Sequence, residues 1–306
     1  MMAFNFAFNL PHCFLTFLQL NGAFLKRFFL FCLLLNSAVL SQDYQLVNQF
    51  GLFSDATSFA LSPQGYFYVA DNGSDEIYKI DSLGNELKAF GGYGWDNGQF
   101  DYPLDVSLNA LNIFVTDKNN HSVQQFDKDL NFISRLYTRE GDNNDAAFGF
   151  PLSADVSSMG DLYVLDSENK RILKFDLFGK YILQFGGFDA GEFAIKSPVK
   201  LIVTENSNVL VLDGMSLIVF DLFGNGVAKV ALPEKFNTID KYYNSITLTS
   251  DSTIYVSSRE ADKFSFTKAN LAAVNGDTKF KSSLAVSNKI YALSNTAIFS
   301  FVLSEK

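Results

Sequence analysis

Histidine, cysteine and tryptophan are nearly missing from this chain of 306 residues, which has two histidines, two cysteines and one tryptophan. Cys13, Cys32 and His12 all fall within the first 41 residues, so residues 42–306 hold no thiol and a single imidazole, His121. No disulfide can brace that region, and a chain of this length buries enough apolar surface without one. A zinc site draws on three or four nitrogen or sulfur ligands, which these residues cannot supply. Gly-x-Ser-x-Gly turns, Ser-His-Asp sets and phosphate-cradling glycine loops are absent too, so no catalytic residue stands out. Also missing is helical periodicity: beyond the first 41 residues no segment keeps an apolar stripe for three turns. Clustered bases are lacking as well. With Lys26 and Arg27 set aside, 22 basic side chains face 33 acidic ones, a net charge of −11. Binding of nucleic acid requires Lys and Arg to neutralise phosphates, so this balance opposes it. Lys170-Arg171, the densest basic pair in the repeats, reads as a solvated turn.

What is present is a phrase that recurs: Phe67 to Asp81, Ile113 to Asp127, Leu162 to Asp176 and Val209 to Asp221. Their shared aspartates, Asp71, Asp117, Asp166 and Asp213, are 46, 49 and 47 residues apart. Self-similarity at this period indicates a solenoid, propeller or array. Two weaker copies place Ser257 and Ser294 at the marker position, making six units. Each phrase is two β-type runs joined by a polar turn, a hairpin signature. A third run precedes it, opened by Pro103, Pro151 or Pro198, and a fourth follows a glycine turn such as Gly84 or Gly179. Each unit is thus a four-stranded antiparallel meander. The expected fold is all-β, a six-bladed β-propeller, the radial solution to the edge-strand problem. After Ala297 to Leu303 no fourth strand follows, while Tyr44 to Gly51 resembles the fourth-strand copies. That N-terminal strand is expected to close the ring within the last blade.

The pattern of proline, apolar strand, [I/L]YVxDxxNxxIxxFDxxG and a Phe-Gly-Gly strand resembles the NHL repeat family over about Gln42 to Lys306. The resemblance implies a propeller domain at 42–306. It also raises an enzyme alternative, because peptidyl-amidoglycolate lyases resemble this repeat and hold zinc on histidines just after the strand-opening proline. Here those positions are Leu104, Leu152 and Val199. Lactonase-like propellers hold calcium near the axis, for which Asp105, Asp155 and Asn244 are the candidates by position.

Residues 1–41 read as a leader. Lys26-Arg27, the apolar run Phe28 to Leu35 and small residues near Ser41 make a signal peptide, too short for a span of about 20 residues. Met1 to Phe24 reads as a mis-assigned start. The protein is expected to be exported, periplasmic or extracellular, and to meet a membrane only if the leader stays uncleaved.

In a meander the hairpin turn of each unit and the loop to the next unit share one face. Ligands tend to meet such convergent loops. The candidate ligand-binding residues are therefore Trp95, Asp96, Lys118, His121, Arg139, Glu168 and Lys170. The aspartate markers are read as acceptors for turn amides rather than as a cation ring. The expected function is a monomeric, non-catalytic binding or scaffold module for a protein, peptide or glycan, without a cofactor. The alternative is a calcium-dependent hydrolase or lactonase.

Overall fold

The computed structural model describes residues 43–141, 143–257, 265–274 and 277–304; the leader assigned to residues 1–41 lies outside them. The described residues form six antiparallel sheets arranged around one axis. Blade one runs through Ala56–Leu61, Phe67–Asp71, Glu76–Ile80 and Glu86–Gly91. Its neighbours repeat that order. The innermost strands are Ala56–Leu61, Pro103–Leu108, Pro151–Val156, Pro198–Val203, Thr238–Tyr242 and Phe280–Val286, and consecutive ones touch around the ring.

Burial follows radius. The second strands, such as Phe67–Asp71, Leu162–Asp166 and Val209–Asp213, are buried at every residue, because a neighbouring blade covers each face. This explains why they read as continuous apolar runs. Outer strands such as Tyr181–Phe185 and Gly226–Ala231 alternate between half-buried and exposed residues. Six apolar clusters fill the six gaps between blades. The cluster between the last and first blades packs Phe50, Phe59 and Phe67, with the last two rings stacked at 6.1 Å. Each fully buried phenylalanine contributes roughly 1.5–3 kcal/mol.

Closure occurs as the sequence predicts. Asp43–Phe50 pairs antiparallel with Ile298–Leu303 as the fourth strand of the last blade. Asn270–Leu271 adds a short parallel fifth strand to its outer edge. Blade five departs from the expected register. Ile254–Ser257 is its third strand rather than its second, which is Ser245–Thr249. Thr249, not Ser257, therefore stands where the aspartate markers stand. The run from Ile246 to Val256 contains two short β segments split by a tight polar turn, and aligning the later one with the repeat hides the earlier. By the same token Asn244 lies in the turn after the first strand of that blade, away from its start.

The marker aspartates bind backbone, as read from the sequence. Asp71 accepts from the amides of Ser54 (2.7 Å), Asp55 (2.7 Å) and Gly73 (2.9 Å). Asp213 likewise accepts from the Lys196 and Ser197 amides. Each carboxylate fastens the incoming loop of its own blade to the hairpin beside it.

Candidate functional site

The hairpin turns place a residue with left-handed backbone at the same point in three blades: Asp75 (φ 54°), His121 (φ 51°) and Lys170 (φ 52°). Two of the predicted ligand-binding residues thus sit on strained turns on the loop face. His121 is half-buried there, with its ring 4.3 Å from that of Phe150 and its Nδ1 accepting the Phe150 amide at 2.9 Å. Nδ1 being an acceptor, the neutral ring carries its proton on Nε2. Burial, and then the nearby Arg139 guanidinium, push the His121 pKa below the usual histidine range.

Arg139 forms a two-point pair with Glu168, at 2.8 and 3.2 Å, and approaches His121 Nδ1 at 3.4 Å. Its guanidinium also lies 5.8 Å from the Phe150 ring centre. Three predicted residues, His121, Arg139 and Glu168, therefore converge where blades two and three meet. Trp95 and Asp96 lie on the preceding loop. Trp95 is 64% exposed and meets Tyr93 edge-on at 5.4 Å. Arg135 links the two groups, donating to the Trp95 carbonyl at 2.6 Å and to the Asn120 carbonyl at 3.2 Å. Asp96 shapes its own loop, with its amide donating to Gln99 Oε1. Lys118 stands over the Tyr102 ring at 5.4 Å, and Lys170 is exposed. Arg171, read from sequence as part of a solvated turn, instead points inward. Its Nε lies 3.1 Å from Asp166 Oδ2, and its side chain is only 14% exposed. The marker carboxylate of blade three draws it in.

A second constellation, largely missed by the sequence reading, fills the axis. The third residue of every innermost strand is polar: Ser58, Asp105, Ser153, Lys200, Asp240 and Ser282. In all but blade five, a register shift follows the first residue of the strand, and such bulges re-aim a side chain. Lys200 Nζ lies 2.7 Å from Asp105 Oδ1 and 2.7 Å from Asp240 Oδ1. Ser58 Oγ donates to Asp105 Oδ1 at 2.7 Å, and Ser282 Oγ donates to Asp240 Oδ2 at 2.9 Å. Burial depresses the Lys200 pKa, yet Asp105 and Asp240 together outweigh it and hold the ammonium above the usual lysine range. One layer along the axis, Lys241 Nζ meets Asp155 Oδ2 at 2.7 Å.

This polar layer floors a cavity of about 520 Å³ that opens opposite the loop face, among the turns joining first to second strands. Leu61, Leu108, Leu111, Tyr242 and Tyr243 are among its walls. The signal for it lay in the sequence as a charged or hydroxyl residue two places after Pro103, Pro151 and Pro198. Asp105 and Asp155, the calcium candidates, do line this axis, but each already faces a lysine ammonium. Asn244 is absent from the lining. The arrangement does not fit calcium, which gathers six to eight oxygens at 2.3–2.6 Å, since the ion would have to displace Lys200 and Lys241.

Comparison with known proteins agrees with this architecture. The family model described as NHL repeat matches residues 100–126 and 148–175. Protein brain tumor of Drosophila melanogaster is 31% identical over 145 residues, 46% of this chain and 13% of that protein. A probable peptidyl-alpha-hydroxyglycine alpha-amidating lyase of Caenorhabditis elegans is 29% identical over 152 residues, 45% of this chain and 42% of the lyase. The chain thus matches less than half the length of either relative. Among solved structures a streptogramin B lyase superposes with a TM-score of 0.58 at 12% identity, covering 84% of this chain and 97% of the lyase. At that identity the likeness concerns fold alone. The strand order, the closing N-terminal strand and the matched segments agree: the chain carries NHL repeats, set in a six-bladed β-propeller.

Proposed function

We propose that this propeller is an exported, non-catalytic binding module that takes a protein, peptide or glycan partner on its loop face. The observation that carries the reading is the convergence of Arg139, Glu168, His121 and Phe150 beside the exposed Tyr93–Trp95 pair. Arginine and large aromatics are the side chains that dominate recognition energy, and here they stand on a rigid ring. The calcium-dependent hydrolase reading loses support from the axis, where lysines already engage the carboxylates that would hold the ion.

Calcium titration calorimetry on the full chain tests the choice between them. No stoichiometric heat, with partner capture lost in both Trp95→Ala and Arg139→Ala but retained in chelator, supports the binding module. Tight one-to-one calcium binding with lactone or ester turnover overturns it. Fractionation of tagged full-length protein tests export, and recovery in the cytoplasm alone would contradict it.

A further inference from the structure

The axial cavity faces away from the loops to which the binding role is assigned, and its polar groups do not balance. Three carboxyl groups, Asp105, Asp155 and Asp240, meet two ammonium groups, Lys200 and Lys241, and Glu205 on the wall adds a fourth acid. The acceptor inventory is equally uneven. Asp240 uses Oδ1 for Lys200 and Oδ2 for Thr238, Ser282 and the Ser283 amide. Asp155 uses Oδ1 for the Val156 amide and Oδ2 for Lys241 and the Val203 amide. Asp105 uses Oδ1 for Ser58 and Lys200, while its Oδ2 accepts no hydrogen bond from any described residue. That oxygen is not sealed within protein, as the buried side-chain atoms left without a partner all lie elsewhere. Asp105 is 2% exposed and lines the cavity, so its open oxygen faces the cavity space.

The three buried carboxylates exceed the two ammonium groups by one, exposed Glu205 adds a second negative charge, and the open oxygen of Asp105 faces this space; together they select a cation that donates hydrogen bonds. The walls select the rest of the ligand. Leu61, Leu108 and Tyr242 flank the path outward, and Leu111 and Tyr243, both exposed, stand at the mouth. A volume of about 520 Å³ falls within the range of small-molecule sites. We propose that the axial cavity binds a small primary alkylammonium ion, with its head on Asp105 Oδ2 and its alkyl body against Leu61, Leu108 and Tyr242. The inference is independent of the loop-face role, because its residues and its opening are different.

Calorimetry on the full chain with methyl-, butyl- and hexylammonium chloride, and with hexan-1-ol as the uncharged match, tests it. The expected result is one site, affinity rising by roughly fourfold per buried methylene, and hexanol at least tenfold weaker than hexylammonium. Asp105→Asn should abolish the preference for the amine. That variant leaves Lys200 short of a partner and risks misfolding, so Leu111→Lys at the exposed mouth serves as the second variant. It should weaken hexylammonium at least fivefold with an unchanged melting temperature, while Trp95→Ala should have no effect. Equal binding of hexanol, affinity independent of chain length, indifference to Leu111→Lys, or no binding heat would each overturn the assignment.

Discussion

Lys241 of blade five reaches Asp155 of blade three at 2.7 Å, passing over the intervening blade. Lys200 of blade four does the same for Asp105 of blade two, while also pairing with its neighbour Asp240. These cross-axis contacts tie together blades whose sheets do not pack on each other. Removing one partner of a buried pair strands the other charge, at a cost of about 3–5 kcal/mol. Lys200→Met strands two aspartates and is expected to lose about that much. Lys241→Met, whose parent side chain is more exposed (21% against 13%), is expected to lose clearly less. Urea unfolding of both variants checks the order, and equal or negligible losses would remove the axial network from the stability account.

Asp117 should make stability depend on pH. Burial pushes its carboxyl up to about 7, against the opposing pull of hydrogen bonds from Asn120, the Asp101 amide and Gln124. Because the folded state holds the proton more tightly than the unfolded chain, the stabilising contribution is complete below the unfolded value near 3.8. It is lost as pH rises through about 7. Carboxyl NMR of the native protein should show one aspartate titrating near 7 that vanishes in Asp117→Asn. A midpoint near 4 would contradict this.

Lys170 is exposed and held at φ 52°, a conformation that favours glycine. Lys170→Gly is expected to stabilise the protein by about 0.5–1 kcal/mol, read as a rise in the urea midpoint. A fall would show that the lysine side chain makes a compensating contact. His121 shares the backbone conformation but also accepts the Phe150 amide, so His121→Gly is expected to gain nothing.

Gly149 lies under the Arg139–Glu168 pair, and a Cβ there would stand 1.9 Å from Glu168 Oε2 and 2.4 Å from Arg139 Nη1. Both atoms are at the ends of flexible side chains. Gly149→Ala should therefore displace the pair at small cost, since an exposed ion pair is worth about 0.2–1 kcal/mol. Under the proposed loop-face role, partner capture falls in this variant while the melting temperature changes by only a few degrees. Undiminished capture would take the pair out of the binding surface.

The ring, its closure and the duties of Asp71 and Asp213 were legible because a repeat states each constraint several times. Blade five was misread for the converse reason. Its two short β runs, Ser245–Thr249 and Ile254–Ser257, are separated by a turn that lacks the marker aspartate, so local pattern offered two registers. Only pairing with Thr238–Tyr242 selects one.

The sequence by itself determined the number of blades and the strand order of the units that carry the marker aspartate, since period and alternation are local properties that those units repeat. Tertiary structure alone decided what gathers on the axis. Asp105, Asp155, Lys200, Asp240 and Lys241 are spread over 137 residues, and although Asp105, Lys200 and Asp240 share the third position of their strands, that spacing does not say which of them pair. Charges interact through space, and it is closure of the ring that brings them within 2.7 Å and leaves one oxygen of Asp105 without a partner among the described residues.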